Sequence, residues 1–187
     1  MSKRTFIAVD IQPGNRLKEA FELIRYRMRL EKINWVETGN MHITLSFLGD
    51  TDESLLPGIS GAIRNAAGQF QPFELVLRSF GVFKNLSDPR VLWFGCDASE
   101  TLAQIKNKLD DLLLPIGFEP ENRKYSPHLT LGRVKGIKQV NQLSQLIALY
   151  KEAIIQQQQI DRIVFYESRL TQQGAVYVPI QTFLLGR

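Results

Sequence analysis

The chain holds two histidines, and each heads the same four-residue pattern. His42-Ile43-Thr44-Leu45 and His128-Leu129-Thr130-Leu131 lie 128 − 42 = 86 residues apart in a chain of 187. Along a β-strand successive side chains point to opposite faces, so residues two apart share one face. Each tetrad, read as a strand, sets His beside Thr on one face. The other face receives apolar anchors: Ile43, Leu45 and Phe47 in the first strand, Leu129 and Leu131 in the second. A fold that uses both must present two such strands side by side, so that two imidazoles and two hydroxyls converge on a central cleft.

Histidine is the side chain whose unperturbed pKa lets it give or take a proton near neutrality. Two imidazoles with two hydroxyls suit phosphodiester cleavage. One imidazole takes a proton from the attacking water, and the other, protonated, gives one to the leaving oxygen. The hydroxyls of Thr44 and Thr130 donate to the non-bridging phosphate oxygens as charge builds on them. The two imidazoles must begin in opposite protonation states, so their surroundings must differ. The strand pattern treats His42 and His128 alike and does not assign the roles.

Arg133 follows the second tetrad by two residues and is a candidate phosphate ligand. On a regular strand it shares the face of Leu129 and Leu131, away from His128. A bulge at Gly132 would re-aim it; the competing reading is an ordinary solvated arginine at a strand end. Phe6, Phe83 and Tyr125 are candidates for stacking on a base, with core packing as the competing role. No metal or other cofactor is expected. Catalytic zinc usually takes three protein ligands, there is no third histidine, and no nearby carboxylate has ligand-like spacing. The lone Cys96 excludes an internal disulfide or a thiolate cluster, and within Val91–Cys96 it reads as a small buried hydrophobe.

The length fits one domain or two tightly packed halves, and a single domain over residues 1–187 is expected. Hydrophobic content of 44% and charged content of 22% are ordinary for a globular protein. No apolar run approaches the roughly 20 residues of a membrane span. The start, Met1-Ser2-Lys3-Arg4-Thr5-Phe6, enters an apolar stretch too short for a signal peptide, so the expected location is cytoplasmic and the sequon Asn85-Leu86-Ser87 carries no glycan. The net charge of +4 and pI near 9.3 suit a polyanion such as RNA without requiring one.

Pattern and punctuation predict strands at Thr5–Val9, Trp35-Val36, Met41–Leu48, Phe73–Arg78, Val91–Cys96, the second tetrad, Arg162–Leu170 and Ala175–Leu184. Helices are predicted from about Pro13 to Leu30, from Thr51 as N-cap to about Gln69, from about Glu100 to Leu114 behind Asp97 or Ser99 as caps, and from about Val140 to Ala153. The tract Gln156–Gln159 reads as a helix end or a loop. Thr171-Gln172-Gln173-Gly174 reads as a hairpin turn. The order of elements repeats loosely, which suggests two similar halves, each giving one His-bearing strand.

Beyond the tetrads, Phe6-Ile7-Ala8-Val9, Ser46-Phe47-Leu48-Gly49, Pro89-Arg90-Val91-Leu92-Trp93, Ser126-Pro127-His128 and Glu167-Ser168-Arg169-Leu170 carry a resemblance. The chain resembles the two-histidine (2H) phosphoesterases and is most similar to the bacterial and archaeal RNA 2′,3′-cyclic phosphodiesterases, also called 2′-5′ RNA ligases. Gly132 stands where alanine is common in that family. The resemblance implies a bilobal α+β fold with pseudo-twofold symmetry around a central cleft. It implies metal-independent hydrolysis of an RNA terminal 2′,3′-cyclic phosphate to a 2′-phosphomonoester, with the reverse 2′-5′ ligation open to the same site. It also implies that His42 is the proton donor to the 3′-oxygen and His128 the base. RNA ends are the expected partner, with no membrane and no obligate protein partner, as a monomer. Two alternatives stand beside this reading: a phosphodiesterase acting on 2′-5′ oligonucleotides or small cyclic nucleotides, and a non-catalytic module that binds RNA ends.

Overall fold

Two strands that each carry apolar residues on one face and polar ones on the other must bury the first and open the second. In the computed structural model they form the centre of one antiparallel sheet. Residues 1–172 and 174–187 are described; Gln173 of the expected turn, and the Ser99 side chain expected as a cap, lie outside the described residues. The strands are β1 (Ser2–Asp10), β2 (Lys32–Trp35), β3 (His42–Asp52), β4 (Phe73–Phe83), β5 (Val91–Cys96), β6 (His128–Gly136), β7 (Ile154–Ile160), β8 (Arg162–Thr171) and β9 (Gly174–Leu184). The helices are α1 (Asn15–Arg27), α2 (Leu56–Gly68), α3 (Ser99–Leu113) and α4 (Val140–Leu149).

The sheet order is β7-β4-β5-β6-β3-β1-β8-β9, with β2 added beside β6. Counted outward from the centre, β3-β1-β8-β9 make one half and β6-β5-β4-β7 the other. The chain path relates them. β1-α1-β3-α2 is followed by β4, and β5-α3-β6-α4 is followed, after β7, by β8; in each repeat the third strand crosses into the opposite half. Helices α2 and α3 pack on each other and on β3, β8 and β9, while α1 lies on β7 and α4 on β4. Leu17, Phe21 and Ile24 of α1 are buried at helical spacing, as are Ile59, Ile63 and Ala66 of α2. This is the expected α+β arrangement of two similar halves.

The halves meet through β3 and β6 at one register pair, Ile43 with Leu129, and both side chains are fully buried. Past that point the strands part. From Gly132 onward β6 pairs with β2, and the Val36 N–H donates to the Leu131 carbonyl at 2.9 Å. On β3 the Thr44 carbonyl accepts from the Tyr125 hydroxyl at 2.9 Å.

Several boundaries differ from the sequence reading, each for a local reason. Thr51 is not a helix cap. It is buried in β3 with its hydroxyl 2.7 Å from that of Thr5, and Asp52 does the capping, accepting from the Ser54 N–H at 2.8 Å. Asp97 does not cap α3 but pairs with Arg78 at 3.3 Å. The expected strand at Trp35-Val36 is β2, which starts and ends earlier in the chain. β4 runs on to Phe83 because a bulge at Ser79, φ +54°, lets the strand continue past the break in its alternation.

The glutamine tract is neither helix end nor loop but the edge strand β7, paired with Glu74–Leu77 of β4. Its other side bonds through side chains. Gln158 accepts from the Gln12 N–H at 2.9 Å and donates to the Asp10 carbonyl at 2.8 Å. Gln156 accepts from the Gly14 N–H at 2.8 Å and donates to the Gln12 carbonyl at 2.9 Å. Two primary amides thus take the place of a missing strand along residues 10–14, and satisfy an edge that is otherwise unpaired. Replacing Gln158 by alanine removes both of its backbone bonds. We expect a loss of about 1–3 kcal/mol in a urea unfolding experiment, together with faster hydrogen exchange at the Gln12 amide.

Candidate active site

The cleft face is fixed by where the strands carry an extra residue. On β1 and β3, Asp10 opposes His42 and Ala8 opposes Thr44, but Ile7 opposes Ser46, so Leu45 has no partner. On β5 and β6, Gly95 opposes His128 and Trp93 opposes Thr130, but Leu92 opposes Gly132, so Leu131 has none. Each tetrad therefore ends on a β-bulge at its leucine, and beyond it the alternation reverses. Arg133 opposes Val91, which shares a face with Trp93 and Gly95. The geometry thus places Arg133 on the face of His128 and Thr130, with the bulge at Leu131 rather than at Gly132. Gly132 fits closely there: a Cβ would stand 2.8 Å from Ile33 Cγ2. The same reversal overturns the expectation for Phe47, which does not anchor the core but lies 46% exposed on the cleft side.

The two imidazoles are held alike. His42 Nδ1 lies 2.7 Å from the Asn40 carbonyl oxygen and His128 Nδ1 lies 2.7 Å from that of Ser126. A carbonyl only accepts, so Nδ1 carries the hydrogen in both rings and Nε2 is left for chemistry. Asn40 is itself tied down, donating from Nδ2 to the Ala175 carbonyl on β9 at 2.9 Å. Thr44 and Thr130 are half-buried, and among the described residues their hydroxyls have no protein partner.

The surroundings differ. His42 sits among aromatic rings, with Phe6 at 4.9 Å, Tyr177 edge-on at 5.1 Å, and Tyr166 stacked on Phe6 at 5.0 Å. Beside it opens a cavity of about 450 Å³ lined by Asp10, Lys18, Asn40, Tyr166 and Tyr177. The Tyr166 hydroxyl donates to the Asp10 carboxylate. His128 meets one ring, Phe83 at 4.6 Å, with Trp93 behind it at 5.3 Å. Burial holds both histidines below their ordinary pKa of 6.5. At His42 the Asn40 carbonyl and the Asp10 carboxylate pull upward, while His128 and Arg133 push down. At His128 the Ser126 carbonyl pulls upward, but the two charges that act, Arg123 and Arg133, both push down.

Of the aromatic candidates, Phe6 is 3% exposed and walls in His42, Tyr125 is spent on the Thr44 carbonyl, and Phe83 is half-buried against His128. Cys96 is half-buried, and burial pushes its thiol up to about 12, which leaves it inert. Among the described residues no three His, Cys, Asp or Glu side chains cluster as a metal site, and no helix is long and apolar enough to cross a membrane. Asp10, Asn40, Tyr166 and Tyr177 escaped the sequence reading. For Asp10 a signal existed: it lies four residues beyond Phe6 on one strand face, but its neighbour across the sheet is fixed only by the register.

A model of the 2′-5′ RNA ligase superfamily matches residues 16–171. The chain belongs to that superfamily. Among its relatives, the RNA 2′,3′-cyclic phosphodiesterase of Methanothermobacter thermautotrophicus is 34% identical over 187 residues, covering 99% of this chain and all of its own. The protein of the same name from Methanocaldococcus jannaschii is 36% identical over 178 residues, covering 95% and 98%. The fold is shared with TT0787 of Thermus thermophilus, with a TM-score of 0.80, 22% identity and 98% of each chain covered. It is shared also with E. coli LigT complexed with 3′-AMP, with a TM-score of 0.74, 22% identity and full coverage of both chains.

Because this superfamily member has only two histidines, its imidazole titrations are separately readable by NMR. Replacing Asp10 by asparagine removes the carboxylate that favours charged His42. We expect the His42 curve to move to lower pH, while that of His128 stays in place.

Proposed function

We propose that the protein hydrolyses the terminal 2′,3′-cyclic phosphate of RNA to a 2′-phosphomonoester by metal-independent acid–base catalysis. The observation that carries this reading is the paired geometry: two imidazoles, each with Nδ1 fixed on a backbone carbonyl and Nε2 free, on the two central strands. His42 protonates the departing 3′-oxygen, and His128 takes the proton of the attacking water. The electrostatics favour this order. The carboxylate of Asp10 supports a protonated His42, whereas the two charges that act on His128, those of Arg123 and Arg133, both disfavour its protonation. Thr44, Thr130 and Arg133 receive the non-bridging oxygens as negative charge gathers on them.

Both histidines come from one chain, so a monomer suffices, and an inert Cys96 suits the reducing cytoplasm. Microscopic reversibility opens the same site to 2′-5′ joining of RNA ends. The names carried by the relatives favour the RNA-end reading over the oligonucleotide, small-nucleotide and binding-only alternatives.

The test is incubation of the protein with EDTA and an RNA ending in 2′,3′-cyclic phosphate. A 2′-phosphate end should form. His42→Ala and His128→Ala should each lower kcat by about 10²–10⁴-fold, and Thr44→Val or Thr130→Val should do so by about 10- to 100-fold, at most the cost of one oxyanion donor. Full activity in either histidine variant, or dependence on an added metal, would sink the proposal.

A further inference from the structure

The reaction just described gives no task to Phe47 and Arg4, both on the cleft side. The bulge at Leu45 turns Phe47 onto the face of His42 and Thr44, at the place in its half that Arg133 holds in the other. Arg4 lies on the same face, because Arg4, Phe6, Ala8 and Asp10 alternate along β1 and Phe6 touches the His42 ring. The Arg4 guanidinium sits 5.0 Å from the centre of the Phe47 ring. Its charge also reaches Tyr177, which stands edge-on to His42.

Among the described residues no carboxylate comes within 4.0 Å of Arg4, not even Asp50, its opposite in the register. Arg25, Arg90, Arg123 and Arg169, by contrast, each pair with one. Phe6, the nearest ring along the same face, is 3% exposed, against 46% for Phe47. An open aromatic ring with an unpaired guanidinium against it offers a nucleic acid two things. The π-face accepts a base of any sequence, and the cation meets a phosphodiester.

The chemistry says which part of a substrate would reach them. Water attacks phosphorus in line with the breaking bond to the 3′-oxygen. The ribose therefore lies on the side of the acid and the water on the side of the base. With His42 as acid, the nucleoside stands over β3-β1-β8-β9, the half that also carries Phe47 and Arg4.

We propose that Phe47 and Arg4 form a subsite for the nucleotide immediately 5′ to the cyclic phosphate, the ring stacking on its base and the guanidinium holding its phosphodiester. The protein is then built for oligonucleotide ends in preference to cyclic mononucleotides. This inference rests on the acid–base assignment above, which puts the ribose over that half.

The test compares kcat/KM for a cyclic mononucleotide with that for an RNA hexamer ending in 2′,3′-cyclic phosphate. Wild type should favour the hexamer. In Phe47→Leu the ratio, hexamer over mononucleotide, should fall about tenfold, the size of one base–aromatic stack, and Phe47→Tyr should restore it. Arg4→Gln should flatten the dependence of hexamer binding on salt. A second measurement uses no turnover: fluorescence anisotropy of a labelled hexamer with a 2′-phosphate end. Phe47→Leu should weaken that binding about tenfold. An unchanged ratio and unchanged binding in Phe47→Leu would overturn the subsite. Absence of hydrolysis in wild type with the binding difference intact would strike the catalytic reading alone.

Discussion

At Leu45 and at Leu131 the strand carries one residue more than its neighbour, and the lining of the cleft follows from that mismatch. A regular strand after His-x-Thr would turn Ser46 and Gly132 into the cleft, and send Phe47 and Arg133 toward the helices. With the leucine inserted, both leucines stay buried, Ser46 and Gly132 join them, and the larger residues come forward. A bulge also bends the strand that carries it and increases its twist. That agrees with β3 and β6 meeting at the single pair Ile43–Leu129 and parting beyond it. The bulged tetrad thus both opens the cleft and chooses what faces it.

The backbone supplies two equivalent histidines, and the side chains around them remove the equivalence. In the half of His42, the small residues Ala8 and Val164 leave the cleft face to Phe6 and Tyr166. At the corresponding places in the other half stand Trp93 over Gly81, where a Cβ would meet the indole at 2.5 Å, and Val91 beside Phe83. The first arrangement brings a ring against His42 and a tyrosine hydroxyl onto Asp10. The second leaves His128 with Phe83 and with the fields of two arginines. The two histidines differ by their neighbours, not by their own geometry.

How much of this the sequence disclosed depends on whether the feature was periodic. The tetrads, their shared faces and the pairing of two halves follow from alternation, and all were legible. The position of Arg133 was legible as a question, because parity placed it wrongly and a neighbouring glycine suggested the remedy. Phe47 was misread by the same parity, since no glycine marks the bulge at Leu45. Thr51 resembled a cap because threonine before acidic residues usually is one; the partner that claimed it, Thr5, lies 46 residues away. The glutamine tract carried no apolar signal because its amide side chains bond the backbone of residues 10–14, a pairing that leaves no periodic trace.

The site also sets folding and catalysis against each other over protonation. Burial lowers the pKa of both histidines in the folded chain, so the unfolded chain binds protons more readily. The contribution each makes to stability is present above 6.5 and is lost as the pH falls through the lowered folded value. The proposed mechanism requires one of these same rings to be charged. A cyclic phosphate bound between them would reconcile the two demands, because an anion close to His42 favours its protonated form and offsets the cost that burial imposes. Asp10 does part of that work before the substrate arrives. It is held for the purpose through its carboxylate by Tyr166 and through its carbonyl by Gln158. The glutamine edge of one half is thereby connected to the imidazole of the other.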